Sequence, residues 1–226
     1  MKKTVIILST IALIAGSCGQ TRAKQATNAE QSFSESVIQD TIIQFPKQAE
    51  YQPEAVNQNS LEDMIIKTIK AYQNQDETTL NNLISKDFGI AFLYRRGAQD
   101  NLSISDKISF DKPVPEYLPY DIDFETDYKI RFEKLPDFSC DNEEWSKSHG
   151  IYCDTINIDK KLSTTAKNEN EWLISDWSAD KIKKFEEIEK KSHKIIVTKG
   201  DFVFYLTFWQ NKWYLTVIDR FEACSA

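Results

Sequence analysis

Several signatures of familiar chemistry are missing from this chain of 226 residues. It holds no Gly-x-Ser-x-Gly elbow, no phosphate loop and no His-Glu-x-x-His, so nucleophilic serine chemistry and zinc proteolysis have no positive sign. Histidine occurs only at positions 149 and 193, which leaves few candidates for a general base. Positive charge is in deficit: 28 Lys and Arg face 35 Asp and Glu, a formal charge of −7. An acidic chain repels phosphate backbones, so nucleic acid is not an expected partner. Beyond the first residues, no apolar run approaches the roughly 20 residues that a membrane-spanning helix needs.

What is present starts at the amino terminus. Lys2 and Lys3 precede a largely apolar run from Thr4 to Ala15, and Ala15-Gly16-Ser17 stand directly before Cys18. The run is too short to span a bilayer but suits the hydrophobic region of a secretory signal. Small residues followed at once by cysteine resemble the lipobox of bacterial lipoproteins. The resemblance implies cleavage before Cys18, lipidation of its sulfur and amine, and a membrane contact made through that anchor. Several acyl chains on one residue exceed the two-signal requirement for stable anchoring. It also implies a cell-envelope location facing away from the cytoplasm. Gly19 and Gln20 include no aspartate of the sort linked to inner-membrane retention, which favours an outer membrane where there are two.

The expected organisation is a signal over 1–17, a lipidated Cys18 with a flexible tether to 59, and a single domain over 60–226. The tether is rich in Gln, Ser, Thr, Asn, Ala and Glu and lacks sustained apolar periodicity, so it cannot offset its ordering entropy by burial. About 40 such residues have an r.m.s. span of about 35 Å.

In the domain, Ser60-Leu61-Glu62-Asp63 reads as a helix start, and Leu61, Met64, Ile65, Ile69 and Tyr72 form an apolar stripe at helical spacing. Asp76 is expected to cap a second helix with Leu80, Leu83 and Ile84 inward. Ile90 to Tyr94 reads as a strand ending in Arg95-Arg96-Gly97, the segment from there to Lys112 as polar loop, and Lys112 to Tyr120, with three prolines, as an extended strap. Phe124, Tyr128, Ile130 and Phe132 lie on one alternation and Tyr152, Ile156 and Ile158 on another. Trp172 and Trp213 each follow a polar turn and are expected to begin return strands. Ser178 caps a helix with Ile182, Phe185 and Ile188 inward. Asp201 to Trp209 and Lys212 to Asp219 form a hairpin around Gln210-Asn211, with both faces so apolar that each needs a cover.

Cysteine usage suits an oxidising envelope. Cys140 and Cys153 are the natural disulfide, closing a loop of about 14 residues worth roughly 3 kcal/mol; Cys153–Cys224 is the open alternative, and a Cys224 left over reads as a small buried residue. The loop from Cys140 to Cys153 also carries three carboxylates and His149, but its spacing fits no zinc pattern, so a disulfide is expected and no metal or other cofactor. Both histidines read as surface residues. Arg95-Arg96 at a strand end suits an anion, and Tyr117, Tyr120 and Trp145, with His149, complete the candidate binding surface. No catalytic residue is assigned.

Two helices, a strand, a long loop and antiparallel strands with a Trp-rich final hairpin resemble the NTF2-like (cystatin-like) domains. Asn211-Lys212-Trp213-Tyr214-Leu215 is similar to the closing strand of secreted members. The resemblance implies an α+β fold, with amino-terminal helices packed on a curved antiparallel sheet. Catalytic members place an acid–base pair deep in a cone, and no such pair maps onto this chain. The expected function is therefore a non-catalytic, lipid-anchored module that binds an envelope ligand or protein. The alternatives are acid–base catalysis in an NTF2-like cone, or an acidic inhibitor or immunity-type lipoprotein.

Overall fold

The computed structural model describes residues 58–155, 159–222 and 224; the signal, Cys18 and nearly all of the tether lie outside them. Helices α1 (Gln58–Gln73) and α2 (Glu77–Asn82) lead into the hairpin β1 (Ile90–Arg96) and β2 (Gln99–Ser105). After the proline strap come β3 (Ile130–Phe132), the short pair β4 (Phe138–Ser139) and β5 (Glu144–Trp145), and β6 (Ile151–Cys153). Helices α3 (Lys161–Glu171) and α4 (Ala179–Glu189) precede β7 (Ser192–Val197), β8 (Phe202–Trp209) and β9 (Lys212–Asp219). The fold is α+β, as expected.

The last hairpin is the spine of the sheet. Gln210 and Asn211 both adopt positive φ, 48° and 61°, which gives the two-residue turn that matches strand twist. Around β8 and β9 the order is β2-β1-β9-β8-β7-β6-β3. The sheet is mixed, not purely antiparallel: β1 runs parallel to β9 and β3 parallel to β6. The parallel joints arise because the chain reaches both partners through long crossovers. Gly89 opens β1 at φ +70°, where an added Cβ would sit 2.6 Å from the Ser105 carbonyl oxygen, so only glycine fits that turn.

Strand alternation sends Phe202, Phe204, Leu206 and Phe208 to one face and Val203, Tyr205 and Trp209 to the other. Helices cover both. On the first face, Leu61, Ile65, Ile69 and Tyr72 of α1 and Leu80 of α2 pack against the strands. Asp76 caps α2, its side chain accepting from Thr79 N. α1 starts at Gln58, which puts Ser60 inside the helix and not at its cap. Tyr72 stacks on Phe202 at 3.9 Å, and Phe110, Tyr120 and Phe204 continue the ring cluster. Aromatic side chains thus fill the space between the amino-terminal helices and the sheet.

The second face is covered by α3 and α4. Phe185 and Ile188 of α4 are buried as expected, with Ser178 as the cap. α3 was not expected, and its inner face explains why: Leu162, Ser163, Thr165, Ala166 and Glu169 form a small, polar stripe. Buried carboxylates attach it. Glu169 accepts from Leu102 N at 2.7 Å and Trp177 Nε1 at 2.6 Å. Glu189 accepts from Ser163 N and Oγ.

Other expectations are corrected. Gln99–Ser105 is a strand, not a loop. Trp172, Leu173 and Ile174 begin no strand: α3 ends there, Leu173 turns the chain at φ +57°, and all three are exposed. Of the 124–132 alternation only Ile130–Phe132 is strand, and Ile156 and Ile158 lie outside the described residues. Among the described residues, no helix is long and apolar enough to cross a membrane.

Candidate functional site

The structure pairs Cys140 with Cys224, across 84 residues and with Cα atoms 5.6 Å apart. This overturns the Cys140–Cys153 bridge. Cys153 sits on β6 opposite Ile195 and points into the core, fully buried and unbridged. Cys140, by contrast, lies in the exposed turn of the β4–β5 pair, and Cys224 is exposed too rather than buried. Two strands of two residues each are too short to be stable alone. The disulfide and three rings hold them: Trp145 stacks on Phe221 at 4.6 Å, and Phe138 meets both edge-on at 5.1 and 5.0 Å.

These rings wall a cleft of about 390 Å³. Its floor is charged. Lys161, the first residue of α3, reaches Asp219 at the end of β9 (Nζ–Oδ2 3.0 Å), and Lys194 of β7 reaches Asp159 (Nζ–Oδ2 2.9 Å). Asp159 also accepts from Tyr205 Oη at 2.6 Å and from Lys161 N at 2.8 Å. At the rim, Arg95 Nε lies 2.9 Å from Asp100 Oδ1, and Arg95 N donates to Glu222 at 2.8 Å. Tyr117 Oη donates to the same Glu222 oxygen at 3.0 Å.

Burial works to raise the Asp159 carboxyl, but the Lys194 ammonium, the Tyr205 hydroxyl and the Lys161 N–H together hold it below the ordinary carboxylate range. Burial, with Asp159 beside it, pushes the Tyr205 hydroxyl well up, so that group remains a proton donor at neutral pH. The sign of the pH effect follows. A lowered folded value contributes stability that is complete above the unfolded value near ~3.9 and is lost as pH falls through the folded one. Acid titration followed by near-ultraviolet circular dichroism should show this loss, and Asp159→Asn should flatten that part of the curve. An unchanged acid limb in Asp159→Asn would place the titration elsewhere.

The cleft brings together Arg95 and Trp145 from the expected surface, and Tyr117 through Glu222. Arg96 lies over the Tyr117 ring, 6.0 Å from its centre. Tyr120 is instead a packing residue: the Arg220 guanidinium sits 4.1 Å from its ring and donates to the Val114, Leu118 and Pro119 carbonyls, tying down the strap. His149 lines a separate hollow of about 660 Å³ with Gln73, Tyr128 and Lys199. Its rim pair, Lys199–Glu125 at 3.6 Å, is solvated, with Glu125 95% exposed, so the charged groups there are weakly held.

Sequence reasoning missed Lys161, Lys194, Asp159, Asp219 and Tyr205, whose pairing depends on strand register. It also placed His193 at the surface. The structure half-buries His193, with Nδ1 2.9 Å from Asp154 Oδ1. Burial alone would lower the imidazole, but its bonds to Asp154 hold it above the ordinary histidine range. Chemically the cleft offers interleaved donors and acceptors beside a flat ring wall. Each ammonium that lines it already sits against a carboxylate.

No family model, curated protein or solved structure matches this chain.

Proposed function

We propose that this protein is a lipid-anchored module of the cell envelope whose disulfide-braced cleft binds a small ligand without chemistry. The observation that carries the reading is one cleft lined both by the Trp145–Phe221–Phe138 rings and by the charged Lys161, Lys194 and Asp219. Such a surface suits a ligand with one flat apolar face and several hydroxyl or charged groups, such as a saccharide or a short peptide. The chain's net negative charge continues to argue against nucleic acid. The finer fold assignment is NTF2-like, on the strength of the two leading helices and the Trp213 closing strand. The mixed sheet and the α3–α4 layer are departures from that pattern. Catalysis within an NTF2-like cone is the weaker reading, because aromatic rings occupy the space where a substrate would sit.

The anchor and the cleft are tested separately. Cys18→Ala should move the protein from the membrane fraction to the soluble one with its thermal unfolding unchanged; retention in the membrane would overturn the anchor. A panel of saccharides and short peptides, screened by thermal shift, should contain a compound that raises Tm. Trp145→Ala should abolish that rise. A rise that survives the substitution would remove the cleft from consideration.

A further inference from the structure

β6 and β7 pair antiparallel with Cys153 opposite Ile195. Because the side-chain period of a strand is two, Cys153, Ile195 and His193 share one face of the sheet. Cys153 and His193 are then diagonal neighbours, the arrangement in which side chains on adjacent strands still reach each other. Asp154 follows Cys153 past the end of β6, its N–H still donating to Lys194 O at 3.2 Å, and its carboxylate meets His193 at the same point. There Asp154 receives His193 Nδ1 at 2.9 Å and Lys194 N at 3.2 Å. One sulfur, one imidazole nitrogen and one carboxylate oxygen lie within 4.8 Å of one another. We propose that Cys153, Asp154 and His193 form a three-ligand site for a divalent transition ion of the zinc class.

The dimensions suit such an ion. Zinc bonds of about 2.3 Å to sulfur and about 2.0–2.2 Å to nitrogen and oxygen place tetrahedral donor atoms about 3.4–3.6 Å apart. The present spacing brackets that value, from 2.9 Å for His193–Asp154 up to the 4.8 Å limit. The ion takes the place of the His193–Asp154 hydrogen bond and of the contact from Cys153 Sγ to the Asp154 carbonyl. The thiol must lose its proton, which passes to bulk buffer as the metal–sulfur bond forms. A sulfur–nitrogen–oxygen set selects zinc or its neighbours over calcium and magnesium, which prefer all-oxygen shells.

The surroundings are those of a held site. Lys194 N orients the second carboxylate oxygen, and the Trp213 ring lies 5.8 Å from the imidazole. The His193 side chain is 25% exposed while Cys153 is fully buried, so solvent meets the site on the imidazole side, where a water would serve as fourth ligand. Cys153 has no competing fate among the described residues, since Cys140 and Cys224 are bonded to each other. The inference is independent of the cleft and of the anchor.

The test uses the full chain, purified in detergent and stripped with a chelator, then titrated with Co²⁺ and Zn²⁺. One Co²⁺ per chain should bind with a thiolate-to-metal charge-transfer absorption, and Zn²⁺ should displace it. Cys153→Ser should abolish the absorption, and His193→Ala should weaken Co²⁺ binding by at least about tenfold, the smaller end of what even supporting residues cost. The site is overturned if no stoichiometric uptake occurs, if the absorption survives Cys153→Ser, or if Ca²⁺ raises Tm as much as Zn²⁺. Should Cys153→Ser fail to fold, Asp154→Asn and His193→Ala decide: unchanged Co²⁺ affinity in both overturns the proposal.

Discussion

Replacing Glu169 with alanine should cost about 3 kcal/mol of folding free energy, a large share of the total for a domain this size. Glu169 is 2% exposed. Its two carboxylate oxygens receive the Leu102 amide of β2 and the Trp177 indole, so alanine strands two donors, each costing about 1–3 kcal/mol if water cannot reach it. The lost desolvation penalty of the carboxylate offsets part of the sum, which is why the expected figure lies well below the upper limit. Glu169→Gln keeps an acceptor for one donor and should lose about half as much. Urea unfolding of the three proteins measures this directly. A loss under ~1 kcal/mol would mean that solvent enters beneath α3 and satisfies both groups.

Breaking the Cys140–Cys224 bridge by Cys224→Ser should destabilise the protein by about 2–4 kcal/mol. The bond spans 84 residues, and the chain-entropy model alone gives about 4.5 kcal/mol for so long a loop. Because Cys224 follows the last strand, part of that figure is recovered as local release of the tail. The same change should loosen the ring wall of the cleft, since Phe221, three residues before Cys224, is stacked on Trp145 and edge-on to Phe138 beside the tied β4–β5 pair. Near-ultraviolet circular dichroism should therefore lose intensity in the folded state, before any unfolding. Equal stability and equal spectra with and without a reducing agent would remove the bridge from both roles.

The elements legible in the sequence were those that bury hydrocarbon by period. The β8–β9 hairpin, α1, α2 and α4 all carry apolar stripes, and Leu61, Ile65, Ile69, Tyr72, Leu80, Phe185 and Ile188 are buried as expected, joined by the polar Thr68 and Glu189. α3 escaped because, Leu162 apart, its inner face is Ser, Thr, Ala and Glu: it is held largely by hydrogen bonds to buried carboxylates, which leave no hydrophobic rhythm to detect. Trp172-Leu173-Ile174 misled for the opposite reason, since three apolar residues after a polar stretch look like a strand. The backbone bonds from Trp172 N to Asn168 O and from Ile174 N to Glu169 O instead close the helix end and turn those side chains to solvent. The cleft was half legible. Arg95 and Trp145 drew notice as local clusters, whereas Lys161, Lys194 and their aspartates meet only after five elements have packed. The cysteine pairing failed on sequence proximity, because facing direction within β6 outweighs the short loop.

β9, the last strand of the chain, lies between β1 and β8. Its hydrogen bonds to β1 join the amino-terminal hairpin to the other strands of the sheet. Until Lys212–Asp219 has been made, the sheet is two unconnected fragments, β2-β1 and β8-β7-β6-β3, with open edges. Closure of the sheet therefore waits on this one strand, and a stop codon within Lys212–Asp219 should leave a product for proteases rather than a shortened protein.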